Sequence, residues 1–188
     1  MTEPYWEPLS GAAFAPVTIG TTLPASPVDG QEAILVDSLT APTYAWRFRY
    51  SASITDAYKW VFIGGSEPTL YAGVGAWAAI GTASTWMVLS PSLSFPVPRT
   101  GHYDAITGAQ ASIGGGGYTQ IAVGYASGPQ GVQHAFSATS TPGYFSSTVG
   151  SRVFDVPAGG DVRAWYWADN TGGMFANRWL RVSPVRVA

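Results

Sequence analysis

The chain has 188 residues, of which 46% are hydrophobic, 14% aromatic and only 11% charged, with a net charge of −2 and no cysteine. That length supports one ordinary domain or two small ones. The charge balance leaves no electrostatic footprint for nucleic acid, and the absence of cysteine excludes disulfide staples and thiolate metal sites. Ordinary domains are roughly 25% charged, so a chain this neutral suits a protein that hides part of its surface in an assembly.

Helical periodicity is missing: no segment sustains apolar residues at i, i+3, i+4 and i+7, and 23 Gly with 14 Pro interrupt the chain. Short β-branched and aromatic runs between turn residues predict an all-β protein. The opening "MTEPYWEPLS" is acidic and lacks the apolar core of a signal peptide. Residues 1–23 read as an extended arm broken by Pro4, Pro8 and Pro16, with Tyr5, Trp6, Leu9 and Phe14 as anchors for a partner.

Residues 24–65 read as a small β-hairpin module. Pro27 and Asp29-Gly30 form a turn into a strand from Gln31 to Val36. A hairpin of Tyr44–Tyr50 and Tyr58–Ile63 follows, its loop being "SASITDA". Tyr44, Trp46, Phe48 and Tyr50 alternate on one strand, and Tyr58, Trp60 and Phe62 on the next, so one face carries seven rings. A unit of about 40 residues sits at the lower limit for folding alone. The stripe therefore needs a cover, either copies of the same hairpin or the rest of the chain. Oligomerisation is the expected answer, with Trp46, Phe48, Tyr50, Tyr58, Trp60 and Phe62 in the interface.

Residues 66–84 read as a Gly/Ala/Ser/Thr-rich linker. Pro68 to Pro98 holds no charged residue, yet its glycines and hydroxyls favour buried strands and a connection over membrane insertion. Residues 85–188 then predict a jelly-roll-like antiparallel β-sandwich. Its expected strands are Thr85–Leu89, Leu93–Val97, Tyr103–Ile113, Thr119–Tyr125, His134–Ser140, Arg152–Val156, Asp161–Trp167 and Trp179–Val187. In "DVRAWYW", Val162, Ala164 and Tyr166 take one face and Arg163, Trp165 and Trp167 the other. The second face, with Trp165 and Trp167, is a further candidate for the subunit interface.

Catalytic and cofactor signatures are missing. His102 and His134 are the only histidines and read as structural or surface residues. "GAQASIG" has Gln110 where a nucleophile elbow needs glycine, and "GVGAWA" lacks the strand–helix context of a dinucleotide fingerprint. Asp155, Asp161 and Asp169 sit at turns and read as solvated acids rather than a hydrolytic pair. No metal ligand set, cofactor or enzymatic activity is expected. The glycine run Gly114, Gly115, Gly116 and Gly117 with Tyr118, and the turn at Asp169, Asn170 and Thr171, read as loop tips and as candidate receptor-contact loops.

The segments Leu23 to Glu32, "LPASPVDGQE", and Lys59 to Gly65, "KWVFIGG", resemble a module of minor tail and tail-fibre proteins of tailed bacteriophages. "MFANRWLRVSPVRVA" looks like the closing segment of the sandwich that follows that module, and "FPVPRTGHY" with "VPAGGDV" is similar to the turns of trimeric jelly rolls. The resemblance implies a virion structural protein without catalytic residues, homotrimeric, located on the tail or head of the particle. It implies attachment to other virion proteins, through the arm, and a host cell-surface glycan as a candidate partner. A capsid decoration or head-fibre protein is the alternative it leaves open.

Overall fold

A computed structural model describes residues 16–72, 74–114, 117–125, 128–129, 135–139 and 144–188, with backbone alone at 135–139 and 144–145. Among these residues every regular element is a strand: β1 (Thr18–Gly20), β2 (Glu32–Val36), β3 (Ala45–Tyr50), β4 (Trp60–Ser66), β5 (Thr69–Ala72), β6 (Ala78–Ala79) and β7 (Ser94–Pro96). There follow β8 (Gly101–Ile113), β9 (Gly117–Tyr125), β10 (Gly128–Pro129), β11 (Ala135–Thr139), β12 (Tyr144–Val156), β13 (Asp161–Ala168) and β14 (Gly173–Val187). The all-β expectation holds, and no helix of the described residues is long and apolar enough to cross a membrane. The anchors Tyr5, Trp6, Leu9 and Phe14 lie outside the described residues.

Two sheets face each other. The larger has the order β1-β2-β3-β4-β14-β8-β12, with β5 and β6 also paired to β14. The smaller has the order β10-β9-β13-β7, with β11 on β9. One cluster of buried side chains runs from Leu23 to Val187 and draws on both. The hairpin module and the sandwich therefore share one sheet and one core. The segment 66–84, expected as a linker, instead supplies β5 and β6 to β14.

The hairpin alternates as its sequence demands. Arg47 and Arg49 face outward, where both guanidinium groups bind the Glu32 carboxylate, Arg49 Nη2 at 2.7 Å. The opposite face turns Trp46 and Phe48 inward. The register shifts after Arg47↔Gly64 so that Phe48 meets Phe62 and Tyr50 meets Trp60. Gly65 tolerates this approach because a Cβ there would lie 2.0 Å from the Ala45 carbonyl oxygen.

The cover over the rings comes from the same chain. Trp46 is 0% exposed, stacked on Tyr44 at 4.2 Å and packed against Phe95 of β7 at 5.9 Å and Tyr103 of β8 at 6.3 Å. Phe48 is equally buried and Trp60 is 4% exposed. The expected subunit interface is corrected here: Trp46, Phe48 and Trp60 are core residues, with Tyr50 and Phe62 packed on the same cluster. Intramolecular packing wins because β7 and β8 are tethered to the hairpin, whereas a second copy would first have to be recruited from solution.

A bulge in β14 places a cation in this core. Pairing with β8 skips from Ala176↔Gln110 to Trp179↔Gly108, and Asn177 takes a left-handed conformation, φ 49°. Arg178 is thereby fully buried. Its guanidinium donates to the carbonyl oxygens of Leu89 (3.1 Å) and Ser90 (3.0 Å) and lies 5.4 Å from the Tyr166 ring centroid. The expected strand Thr85–Leu89 forms only a bridge, Met87↔Tyr166, and Arg178 adds a side-chain tie to the backbone bonds at Ser84 and Leu93 that flank it.

Trp46→Ala is expected to cost about 3–5 kcal/mol in urea unfolding and to leave the mass of the native protein by light scattering unchanged. A variant with fewer chains per particle than wild type would return the ring to a subunit interface. Arg178→Ala is expected to cost about 1–3 kcal/mol per orphaned carbonyl and to expose 85–93 to proteases. Unchanged unfolding and cleavage would show that this segment is held without the guanidinium.

Candidate functional site

The 13-residue strand β8 spans the sandwich from end to end. At its Ile113 end the two candidate contact loops converge, although about fifty residues separate them in sequence. Tyr118 N–H donates to Asp169 Oδ2 at 2.9 Å, and Asp169 N–H returns to the Tyr118 carbonyl at 3.1 Å. Gly114 N–H donates to the Gly172 carbonyl at 3.2 Å, and Asn170 Oδ1 accepts from Gly172 N–H at 2.8 Å.

Gly117 is required at its position. Its φ is +138°, and a Cβ would sit 2.3 Å from Asp169 Oδ1. Asp169 thus acts as a clasp between the loops, while Tyr118 (54% exposed) and Thr171 face solvent. Gly115 and Gly116 lie outside the described residues. Ile80 N–H donates to the Gly173 carbonyl and β6 pairs with Met174 and Phe175, which brings 74–80 to this apex too.

The opposite end, at Gly101, carries a polar network. His102 Nδ1 accepts from Asp155 N–H (3.2 Å), which puts the proton of the neutral ring on Nε2, 3.3 Å from Asp56 Oδ2. Tyr58 donates its hydroxyl to Asp155 Oδ1 at 3.0 Å, and Arg186 Nη1 lies 3.5 Å from Asp56 Oδ2. Tyr58 and Phe154 contact the imidazole edge-on at 4.7 and 5.1 Å. Tyr58, expected in a subunit interface, is thus part of a network that ties the 51–59 loop to β8, β12 and β14. The Tyr58 N–H, together with His102 and Arg186, holds the Asp56 carboxyl below its ordinary range, against the opposing effect of its burial.

The remaining expected residues are dispersed. On the outer face of β13, Trp165 lies opposite Ala122 and Trp167 opposite Gln120. Trp165 is already covered, at 7% exposure, and Trp167 is half-buried. The three acids weighed as a hydrolytic set are apart in their bonding: Asp155 with Tyr58, Asp161 with Arg163 at 2.8 Å, and Asp169 at the apex. Burial pushes the Tyr166 phenol up to about 12 and Tyr103 higher still. Among the described residues no group of three or more His, Cys, Asp and Glu is arranged to hold a metal ion. His134 lies outside the described residues.

One group of residues escaped sequence reasoning: Trp179, Asn177 and Gln110, on the outer face of the larger sheet. The available signal was the slip in alternation at "FANRWL", where inward positions change from Phe175 to Leu180 and Val182. Comparison with known protein families and with curated proteins finds no match to this chain.

Asp56→Asn is expected to flatten the acid limb of the melting-temperature profile. The folded Asp56 pKa is lowered, so its contribution is present above the unfolded value near 4 and is lost as pH falls through the lower folded value. Calorimetry from pH 2 to about 7 tests this, and an acid limb as steep as wild type would contradict it.

Proposed function

We propose that this chain is a non-enzymatic structural protein of a bacteriophage virion, a minor tail or tail-fibre component that acts as a homotrimer and turns one end of its sandwich to the host surface. One observation carries the directional part of this reading: Thr18 and Leu23 lie at one end of the sandwich and the paired loops stand at the other. β1 runs parallel to β2 with Thr18 beside Ala33, near the start of β2. Leu23 lines one hollow with Trp60, Arg99 and Ala188, at the Gly101 end of β8. The loops clasped by Asp169 lie at the Ile113 end, about 40 Å away along a strand of this length. Attachment near Thr18 and Leu23 with contact loops at the opposite end is the polarity an adhesin needs.

The trimer rests on the resemblance to tail-fibre modules, since the hairpin rings that called for it are covered within the chain. Trp167, half-buried on the outer face of β13, stays a candidate for that contact. The non-enzymatic reading is supported by His102, whose two ring nitrogens both face structural partners.

Light scattering on purified protein is expected to give the mass of three chains, and antibody labelling of particles is expected to mark the tail. A stable monomer at micromolar concentration contradicts the trimer. Tyr118→Ala with Thr171→Ala is expected to weaken adsorption to host cells without changing the melting temperature. Unchanged adsorption would favour a capsid decoration or head-fibre role.

A further inference from the structure

We propose that the outer face of the larger sheet, centred on Trp179, binds a neutral oligosaccharide. This site is separate from the apex loops, and it stands whether or not the chain belongs to a virion.

The sheet register builds the site. Thr148 of β12 lies opposite Gly108 of β8, Gly108 opposite Trp179 of β14, and Trp179 opposite Tyr71 of β5, so the four form one row across four strands. Side chains in such a row share a face. Gly108 leaves its place empty and the indole fills it: a Cβ there would lie 2.4 Å from Trp179 Nε1, 2.6 Å from Cε2 and 2.8 Å from Cζ2. The ring is held by backbone on that side and has an open hollow to either hand. One hollow, of ≈350 Å³, is lined by Gln110, Ser146, Thr148 and Asn177. The other, of ≈250 Å³, is lined by Thr69, Tyr71 and Arg181. Trp179 is the wall common to both, and Tyr71 beside it is 70% exposed.

The polar groups are positioned in advance. The β14 bulge puts Asn177 in the left-handed region, φ 49°, and turns its amide to the outer face. There its Oδ1 accepts from Gly75 N–H at 3.0 Å and its Nδ2 donates to Gln110 Oε1 at 3.0 Å. With Oε1 engaged, the Gln110 amide retains its NH2 as a donor, and Ser146 and Thr148 can donate or accept. A backbone conformation held beside a hollow, with amides fixed by one another, is a preorganised site rather than a chance dent.

The chemistry selects the occupant. A pyranose offers an apolar C–H face for an indole and equatorial hydroxyls for amides and hydroxyl groups. Arg181 Nε lies 3.3 Å from Glu67 Oε2, so its charge is compensated, and the larger hollow has no charged residue in its lining. That balance favours neutral sugars over uronic acids or phosphorylated glycans. Two hollows sharing one ring fit consecutive sugar units.

The test is calorimetry on the purified full chain with cellohexaose, maltohexaose, mannohexaose and a neutral galactan oligomer, and with oligogalacturonate as the acidic control. Saturable binding of one neutral probe is expected. Trp179→Ala and Gln110→Ala should each weaken it by about tenfold or more. Asn177→Gly, which keeps the left-handed backbone, should do the same with the fold retained by circular dichroism, so that loss of folding cannot mimic loss of the site. Tyr118→Ala at the apex should bind as wild type, which distinguishes this site from the contact loops. The proposal is overturned if none of the four neutral probes binds, or if only the acidic one does. It is also overturned if wild type self-associates while Trp179→Ala is monomeric, since the occupant would then be a second copy of the chain. Labelling that fails to find the protein on particles would remove the virion reading and leave this one standing.

Discussion

Everything in this fold depends on β14 being hydrogen-bonded along both edges. One edge follows β8 from Gly173↔Ile113 to Val187↔Gly101. The other is shared in succession by β6, β5 and β4. The last strand of the chain thus joins the N-terminal hairpin to the sandwich and completes their common sheet. Unpaired backbone groups at its centre would carry a desolvation penalty at each position, so short pieces of the 66–84 segment are drawn in as strands. Pairing is what makes β6 a strand, since Ala78-Ala79 has little β-propensity, whereas Thr69 and Tyr71 of β5 suit a strand by themselves.

The bulge at Asn177 follows from the same constraint. A strand of 15 residues with inward positions at Phe175 and at Leu180 must change phase between them. The change yields two opposite results at adjacent residues. Asn177 is directed to solvent, where its amide joins Gly75 to Gln110, and Arg178 is directed into the core, where it holds the carbonyls of Leu89 and Ser90. Placing a guanidinium in the core is unfavourable unless its protons are satisfied. Here its two terminal nitrogens donate to the Leu89 and Ser90 carbonyls while Nε has no partner, and the group adds to the backbone bonds that Ser84, Met87 and Leu93 make to β13.

The two ends of the sandwich differ in chemistry as a consequence. At the Gly101 end, aromatic rings, hydrogen bonds and the Arg186–Asp56 ion pair join four elements around His102. At the Ile113 end, one carboxylate, Asp169, gathers two loops whose backbones are close because Gly117 has no side chain. The first end is suited to rigidity and the second to presenting backbone and small side chains. Between them the outer sheet face carries the Trp179 hollows, set on paired strands rather than on loops and therefore held by the sheet's own hydrogen bonds.

The sequence by itself determined the all-β class, the alternation of the hairpin, and the inward set Val162, Ala164 and Tyr166 of β13, because each follows from local periodicity and turn chemistry. It also located the two loops whose convergence Asp169 secures. It did not determine what covers the rings of β3 and β4: a stripe of aromatics requires burial, and a second copy satisfies that requirement as well as a distant part of the chain does. Tertiary structure decided for Phe95 and Tyr103. It likewise decided that Thr69–Ala72 and Ala78–Ala79 are strands, that β14 begins at Gly173 rather than Trp179, and that Gly108 and Trp179 share one place on the sheet. Each of those depends on register between strands far apart in the chain, and register is a property of pairing rather than of any single segment.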